Sequence, residues 1–145
     1  MSERKAFTVR IADWTLDAEA LRKIRRTVFV VEQGVPESLE WDAVDPACVH
    51  ALACDAALRA IGCGRLLPDG HIGRVAVLRR WRGHGVGAAL LLKLVETARE
   101  AGHLRARVNA QVSAVPFYAR YGFVATGEDF EEAGIPHRVM ERALR

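Results

Sequence analysis

The segment IGRVAVLRRWRGHGVGAALLLKLVETAREAG, residues 72–102, decides the fold that the sequence predicts. It begins with the β-branched run Ile72–Leu78, which is typical of a buried strand. Apolar residues then recur with helical spacing from Val86 to Ala98, and Gly102 follows at a position typical of a helix end. The segment therefore predicts a strand, a tight turn and a long amphipathic helix.

The turn between this strand and helix has the composition of an anion-binding site. Gly83, Gly85 and Gly87 stand at every second position, behind a run of arginines that ends at Arg82. Glycine costs up to about 1 kcal/mol relative to alanine in a helix, and arginine at a helix N-terminus opposes the macrodipole. A phosphate or pyrophosphate on the free N–H groups of the first turn would offset both effects. The alternative is a tight turn with solvated arginines.

Two common phosphate motifs are excluded by the residue types. A Walker P-loop needs Gly-Lys followed by serine or threonine, and none of the lysines follows a glycine. A dinucleotide fingerprint needs G-x-G-x-x-G and a later acidic residue. This turn reads G-x-G-x-G instead, and the next predicted strand carries Arg105 and Arg107 where the acid would be sought.

Composition limits the class of protein. The 145 residues are 50% hydrophobic, which predicts one domain over residues 1–145 with a substantial core. The net charge of +3 is mild, and arginines concentrate at the glycine turn, so a local anionic ligand is favoured over nucleic acid. Cys48, Cys54 and Cys63 lie in apolar settings without C-x-x-C pairs, so we expect reduced buried thiols and a cytoplasmic protein. The longest strongly apolar stretch, Val86–Leu92, is too short to span a bilayer, and no membrane association is expected.

The rest of the chain predicts strands and helices in alternation around this segment. Strands are expected at 7–11, 49–54, 58–67, 104–111, 123–127 and 137–144, and helices at 17–32 and 113–121. Asp17 and Ser113 are the expected helix caps, and the first helix has an apolar side of Leu21, Ile24, Val28 and Val31. The acidic stretch 35–47 is expected to be a loop or a short helix and loop, and 128–132 a loop. The order β-α-β-β-β-α-β-α-β-β indicates an α/β (α+β) fold, a mixed sheet with helices on both faces.

Two motifs give the chain a resemblance to a known superfamily. Arg82-x-x-Gly85-x-Gly87 after a strand is similar to the acyl-CoA pyrophosphate loop of the GNAT N-acetyltransferases, and PFYARYGF at 116–123 resembles their later helix-turn-strand signature. The predicted element order is also that of the GNAT fold, so the resemblance covers nearly the whole chain. The segments VFVVEQGVP at 28–36, NAQ at 109–111 and EEAGIPH at 131–137 look like the poorly characterised ElaA/YjcF-like branch.

The resemblance implies a mostly antiparallel sheet whose central strand pair splays apart to bind acyl-CoA. Main-chain groups of residues 75–77 are then expected to hold the pantetheine arm, and one N–H to polarise the acetyl carbonyl. The glycine turn is expected to hold the pyrophosphate, and Arg79 or Arg80 the ribose phosphate. The implied residues for the co-substrate acetyl-CoA are Val75, Ala76, Val77, Arg82, Gly83, His84, Gly85, Val86, Gly87, Gln111 and Tyr118. Gln111 stands where many members have asparagine.

The resemblance also implies catalytic roles. Tyr118 matches the general-acid position of the family, and a phenol is a feasible proton donor to the leaving thiolate. Many members place a glutamate base just before the glycine turn, but this chain has Ile72-Gly73-Arg74 there. The base is then expected to be a water relay or one of Glu32, Asp42, His50 and His137. Glu32 and His137 are favoured because they lie in the branch-like segments.

The acceptor site is expected to combine residues from these same segments. Its predicted residues are Glu32, Trp41, Asp42, Asn109 and His137. Acidic residues interleaved with Trp41 favour a cationic acceptor, although a solvated surface loop is the alternative. No metal site is expected, because histidines and acids lack ligand spacing.

The leading hypothesis is an acetyl-CoA-dependent N-acetyltransferase that acts on a primary amine of a small molecule, peptide or protein by direct attack on the thioester. The alternative is a non-catalytic acyl-CoA-binding sensor or interaction module. A nucleic-acid binder is a third interpretation, which the concentration of arginines at one loop disfavours. Dimers are common among the proteins that the chain resembles, so a homodimer is also an expectation.

Overall fold

The computed structural model describes residues 5–144, which form one seven-stranded sheet. The strands are β1 (Phe7–Ile11), β2 (Val49–Asp55), β3 (Ala60–Leu66), β4 (His71–Val77), β5 (Arg105–Gln111), β6 (Val124–Glu132) and β7 (Ile135–Ala143). Their order across the sheet is β1-β2-β3-β4-β5-β7-β6. Neighbours are antiparallel except for the parallel pair of β4 and β5. The predicted mixed, mostly antiparallel sheet is confirmed.

Helices cover both faces of this sheet, as the sequence predicts. They are α1 (Trp14–Arg25), a π-helical segment (Arg26–Glu32), α2 (Glu37–Glu40), α3 (Val86–Glu100) and α4 (Val115–Arg120). On one face α1 buries Leu21 and Ile24 against Leu52 of β2, and on the other α3 buries its apolar side against the neighbouring residue Ala53. Because alternate residues of β2 enter opposite cores, the strand is an almost continuous apolar run. Within residues 5–144 no helix is long and apolar enough to cross a membrane.

Two glycines in β3 let α3 lie close to the sheet. A Cβ added at Gly62 would stand 3.1 Å from Leu90 Cδ1 of α3, and one added at Gly64 would stand 2.9 Å from Leu94 Cδ1. Side chains at these positions would push the helix away from the sheet. The N-terminus of α3 is thereby fixed beside the end of β4.

The parallel pair of β4 and β5 separates after two residue pairs. His71 faces Arg107 and Ile72 faces Val108, but β4 continues to Val77 without further pairing to β5. On its other edge β4 stays paired with β3 up to Val77. One edge of residues 73–77 is therefore open, and the predicted splayed central pair is confirmed.

Two predictions about the first helix are wrong. Its N-cap is Asp13, whose Oδ1 accepts hydrogen bonds from the backbone N–H groups of Thr15 and Leu16. Asp17 instead lies in the first turn and pairs with Arg10. Val31 does not join the apolar side but is 74% exposed, because the wider turns of the π-helical segment rotate the later residues away from the core.

Two predictions about the C-terminal half are also wrong. Ser113 makes no capping hydrogen bond, since α4 begins after Ala114 and follows the 3₁₀ turn Val112–Ala114. The acidic residues 128–132 belong to strand β6 rather than to a loop. They form an edge strand because β7 supplies the backbone partners, and charged side chains suit an exposed edge. The turn between β6 and β7 is Ala133-Gly134, with φ of 53° and 75°, as in a two-residue hairpin.

Candidate active site

The splay between β4 and β5 opens into two adjoining cavities. The larger, here called the cleft, has a volume of about 600 Å³, and the smaller, here called the groove, about 450 Å³. The cleft wall includes Gln33, Arg74, Asn109, Gln111, Tyr118 and His137. The groove wall includes Val77, Arg82, Gly83, Gly85, Gly87 and Phe117. Adjacent aromatic residues of α4 thus face the two cavities, Phe117 the groove and Tyr118 the cleft.

The groove is formed by the glycine turn and the first turn of α3. Gly83 and Gly85 have φ of 81° and 87°, a left-handed conformation that glycine adopts without strain. Gly85 is the N-cap, so the N–H groups of the following residues have no partner within the helix. A Cβ added at Gly87 would already be 3.7 Å from Phe117 and Val77. Exposed donors on a bare backbone are the arrangement that an anionic group requires.

Arg82 at the rim of the groove is held by two partners. Its Nη1 and Nη2 donate to the two carboxylate oxygens of Glu32 at 2.6 and 2.9 Å, and its Nε donates to the carbonyl oxygen of Val77 at 3.0 Å. Arg79 approaches the same carboxylate at 3.8 Å. The hydrogen bonds from Arg82 lower the pKa of Glu32. Glu32 therefore contacts the groove, and its lowered pKa makes it a weak base.

The open edge of β4 offers main-chain groups to the splay. The N–H of Leu78 donates to Ile61 of β3, so by alternation the main-chain groups of Val77 point to the open side. Those of Val75 point the same way, whereas those of Ala76 face β3. The side chain of Ala76 is buried in the core under α1. Of the three residues expected to hold a pantetheine arm, Val75 and Val77 are placed to do so, Val77 with its N–H because its carbonyl oxygen already accepts from Arg82.

Tyr118 stands where the cleft meets the groove. Its ring packs edge-on against Phe117 and Phe123, with ring centroids 5.2 and 5.8 Å away. Burial raises the pKa of its phenol to about 12, because the charged phenolate would be poorly solvated there. The hydroxyl is therefore protonated at any physiological pH and can donate a hydrogen bond into the cleft.

His137 lies on β7 and faces the cleft. Its Nδ1 is 2.6 Å from the carbonyl oxygen of Ile135, which can only accept, so in the neutral ring Nδ1 carries the proton and Nε2 the lone pair. Nε2 is 3.6 Å from a carboxylate oxygen of Glu132, and the ring stacks on Phe130. The pair can accept a proton at Nε2 while the carboxylate stabilises the resulting cation. Glu132 was not predicted as a site residue, because its stretch was expected to be a loop.

Gln33 and Gln111 form a bridge across the mouth of the cleft. The Gln111 side chain donates to Gln33 Oε1 at 2.8 Å, joining the end of β5 to the residue that follows the π-helical segment. Asn109 lies two residues earlier on β5 and also lines the cleft. The predicted site residues Asn109 and Gln111 therefore line the same cavity as Tyr118 and His137.

A buried ion-pair network closes the side of the cleft. Arg25 donates to Glu40 at 2.8 Å and to Asp45 at 2.9 Å, and Arg65 donates to Asp45 at 2.7 Å and to both oxygens of Asp42 at 3.0 Å. The side chains of Arg25, Glu40, Asp45 and Arg65 are almost entirely buried. Glu40, Asp42 and Asp45 of the predicted acidic stretch are thus already hydrogen-bonded to arginines.

Three further predicted residues do not line either cavity that residues 5–144 form. Trp41 packs against the guanidinium groups of Arg25 and Arg26 rather than on the cleft wall that residues 5–144 form. His50 is buried, stacks on Trp14 and contacts the Asp45 carbonyl with Nε2. His84 lies in the glycine turn with its ring against Trp81. These placements give no support to substrate contacts by Trp41 or a base role for His50.

The cysteines are free thiols, as expected. Burial raises the pKa of Cys63 to about 12, so this thiol is not ionised under ordinary conditions. Cys54 is also buried, and Cys48 is partly buried rather than fully so. Among residues 5–144 no three histidine, cysteine or acidic side chains are grouped as metal ligands.

Comparison with known protein families identifies this arrangement. The family model described as an acetyltransferase (GNAT) domain matches residues 15–144, nearly the whole chain. The chain belongs to the GNAT acetyltransferase family. GNAT proteins bind acyl-CoA co-substrates, and the groove with its free N–H groups and the open edge of β4 fit such a molecule.

Individual GNAT relatives agree with this assignment. The uncharacterized N-acetyltransferase YjcF of Bacillus subtilis is 36% identical over 121 residues, covering 81% of this chain and 86% of that protein. The ElaA protein of Escherichia coli is 34% identical over 132 residues, covering 86% of each protein. Its crystal structure gives a TM-score of 0.83 at 29% identity, covering 94% of this chain and 99% of that one. An acyl-CoA N-acyltransferase of Pseudomonas aeruginosa gives a TM-score of 0.82 at 34% identity, covering 95% and 99%. The chain is thus an N-acyltransferase that resembles the ElaA/YjcF-like branch.

Proposed function

We propose that this GNAT protein is an acetyl-CoA-dependent N-acetyltransferase that acylates a primary amine of a small molecule or peptide. The observation that carries the proposal is the junction of the two cavities at Tyr118. A groove suited to a diphosphate meets a cleft that holds a histidine-carboxylate pair, and the open edge of β4 runs between them.

In this proposal the chain holds the co-substrate with backbone rather than with side chains. The N–H groups of Gly85, Val86 and Gly87 bind the pyrophosphate, and Arg82 contributes its guanidinium at the rim. Main-chain groups of Val75 and the N–H of Val77 hydrogen-bond the pantetheine arm along the open edge. Gln111, at the end of β5, closes the opposite side.

The acceptor amine has to be neutral before it attacks the thioester. An alkylammonium with a pKa of about 10.4 costs about 4–5 kcal/mol to deprotonate at pH 7. Nε2 of His137 carries the lone pair that takes this proton, directly or through one water, while Glu132 stabilises the imidazolium. Glu32 is set aside as the base, because its carboxylate is occupied by Arg82.

Two groups complete the reaction. An N–H on the open edge at Val75 stabilises the oxyanion that develops on the carbonyl. Tyr118 donates a hydrogen bond to the leaving thiolate. Its pKa of about 12 lies above that of a thiol near 8.5, so full proton transfer to a free thiolate costs about 5 kcal/mol. Tyr118 is therefore expected to act chiefly as a hydrogen-bond donor while the C–S bond breaks, and the proton that the attacking nitrogen loses on forming the amide reaches the thiolate through water.

Calorimetric titration with acetyl-CoA, CoA and 3′-dephospho-CoA, followed by thiol release with a panel of amines, tests the proposal. Saturable binding and amine-dependent thiol release are expected. Binding without release for any amine would indicate an acyl-CoA-binding module, and absence of binding at millimolar ligand would overturn the proposal. A cytoplasmic location and a homodimer stay predictions, for which fractionation and light scattering are the measurements.

A further inference from the structure

Arg74 has an unusual backbone in the wall of the cleft. Its φ is 51°, in the left-handed region where non-glycine residues are uncommon and cost energy. Between the pairs Cys63–Ala76 and Arg65–Gly73 the register of β3 and β4 shifts, so Arg74 and Val75 together face Gly64. This is a β-bulge, which redirects the side chain of its first residue. Glycine would fit this conformation without strain, so the presence of arginine requires a reason in its side chain.

The guanidinium of Arg74 has few good partners among residues 5–144. Its Nε is 3.2 Å from Glu40 Oε2, but the N–H does not point at that oxygen and forms no hydrogen bond. Its Nη2 reaches the carbonyl oxygens of Leu39 and Glu40 only at 3.5 Å and a carboxylate oxygen of Asp42 only at 4.0 Å. The side chain is 26% exposed and lines the cleft. Because Nε itself is closed off from solvent, the donors available to a molecule in the cleft are those of the two terminal nitrogens.

The neighbouring acids receive their hydrogen bonds from other arginines. Arg25 and Arg65 already make short hydrogen bonds to all three carboxylates of the network, which are those of Glu40, Asp42 and Asp45. The two arginines and three acids carry a net charge of −1, and Arg74 brings the set to zero. Within residues 5–144 no carboxylate accepts a hydrogen bond from Arg74, so its guanidinium is the positive group of this set that a carboxylate in the cleft can engage.

We propose that Arg74 binds a carboxylate of the acceptor, so that the substrate is an amino acid or another amine that carries a carboxylate. The inference rests on the proposed function, because it assigns the amine to His137 and Glu132 and the carboxylate to Arg74 of the same cleft. This proposal replaces the expectation of a cationic acceptor, which rested on the acidic stretch 35–47. Glu40, Asp42 and Asp45 of that stretch already pair with arginines. A guanidinium suits this role because it donates two parallel hydrogen bonds to one carboxylate.

Product analogues test the carboxylate site without requiring catalysis. The probes are N-acetylglycine, N-acetyl-β-alanine and N-acetyl-4-aminobutyrate, each beside its carboxamide, titrated by calorimetry against the protein with and without CoA. We expect at least one carboxylate to bind about ten- to a hundred-fold more tightly than its amide. The chain length that binds best reports the distance between the two subsites.

Variants of Arg74 test whether its guanidinium causes the preference for a carboxylate over the carboxamide. R74G relieves the backbone strain and R74M keeps the bulk, and both are expected to abolish the preference while leaving CoA affinity unchanged. R107M, which removes an arginine of β5 that pairs with Glu141, is the matched control and should keep it. Equal binding of acid and amide, or a preference that survives in both Arg74 variants, would overturn the inference. Failure of CoA binding would instead count against the proposed function, because the carboxylate titration does not depend on CoA.

Discussion

The carboxylate of Glu32 forms a two-pronged ion pair with the guanidinium of Arg82, at 2.6 and 2.9 Å, on the rim of the groove. The pair joins the end of the π-helical segment to the glycine turn. A glutamate at a helix C-terminus is disfavoured by the macrodipole, and this contact explains its presence. Since a pyrophosphate in the groove would use the same guanidinium, Glu32 and the co-substrate compete for Arg82.

We predict that Glu32→Gln tightens CoA binding and leaves turnover within a few-fold of the native value. The side chains of Glu32 and Arg82 are 24% and 40% exposed, so the pair is worth at most about 1 kcal/mol and the gain at most about fivefold. Calorimetry and steady-state kinetics measure the two effects. Glu37→Gln, which breaks the neighbouring surface pair with Arg26, should change neither. A loss of turnover above a hundredfold at unchanged CoA affinity would restore Glu32 as the general base.

Tyr118→Phe is expected to lower kcat by about a hundredfold while CoA affinity stays nearly constant. The variant keeps the ring between Phe117 and Phe123 and removes only the hydroxyl. Because its pKa is raised to about 12, the native tyrosine stays protonated beyond the usual value near 10. The pH–rate profile should therefore show no fall from tyrosine ionisation up to pH 10. An unchanged kcat in the variant would remove Tyr118 from the mechanism.

Gly85 and Gly102 allow a matched test of the groove. They flank the two ends of α3 with nearly the same backbone, φ of 87° and 89°. A non-glycine residue in this conformation costs about 1–2 kcal/mol, so Gly85→Glu and Gly102→Glu should lower the free energy of unfolding alike. Only the first should abolish CoA binding, because it adds bulk and negative charge to the groove. Equal CoA affinity in both variants would contradict the assignment of the groove.

The parts of the fold that the sequence predicts well are those set by local chemistry. The strand before the glycine turn, the turn itself and α3 end within about two residues of their predicted limits, because β-branched residues, glycines and a 3.6-residue period act over short distances. Gly102 ends α3 with a positive φ, as a glycine C-cap does. The resemblance adds the arrangement of the strands in the sheet. Together with these local elements, it predicts cavities where β4 and β5 separate.

The parts that the sequence does not predict depend on distant partners. Glu132 reaches His137 only because Ala133-Gly134 forms a tight hairpin, a turn signal that the acidic composition of β6 obscured. The role of Arg74 depends on which acids Arg25 and Arg65 have already neutralised, and these pairs join residues 15 to 23 positions apart. The spacing of residues along the chain therefore does not predict these ion pairs.

His137→Gln should lower kcat/KM for the acceptor by about a hundredfold or more, because the variant cannot take the ammonium proton. Glu132→Gln should have a smaller effect, since Glu132 acts through the imidazole and mainly stabilises its cation. Assays with an acceptor of lower amine pKa are expected to reduce both losses. His50→Gln is the control, because His50 is buried away from the cleft and should affect stability rather than turnover. Equal losses in His50→Gln and His137→Gln would contradict the role of His137.

Arg25→Met should lower the free energy of unfolding by about 3–5 kcal/mol, because it leaves the buried carboxylates of Glu40 and Asp45 short of a partner. Urea unfolding measures the loss. Arg59→Met removes an arginine that is 73% exposed and should change stability little. The network also holds α2 beside the cleft, so the Arg25 variant should weaken the carboxylate preference assigned to Arg74 even at temperatures where it remains folded. A folded Arg25→Met protein with native stability would show that the network contributes little to the cleft wall.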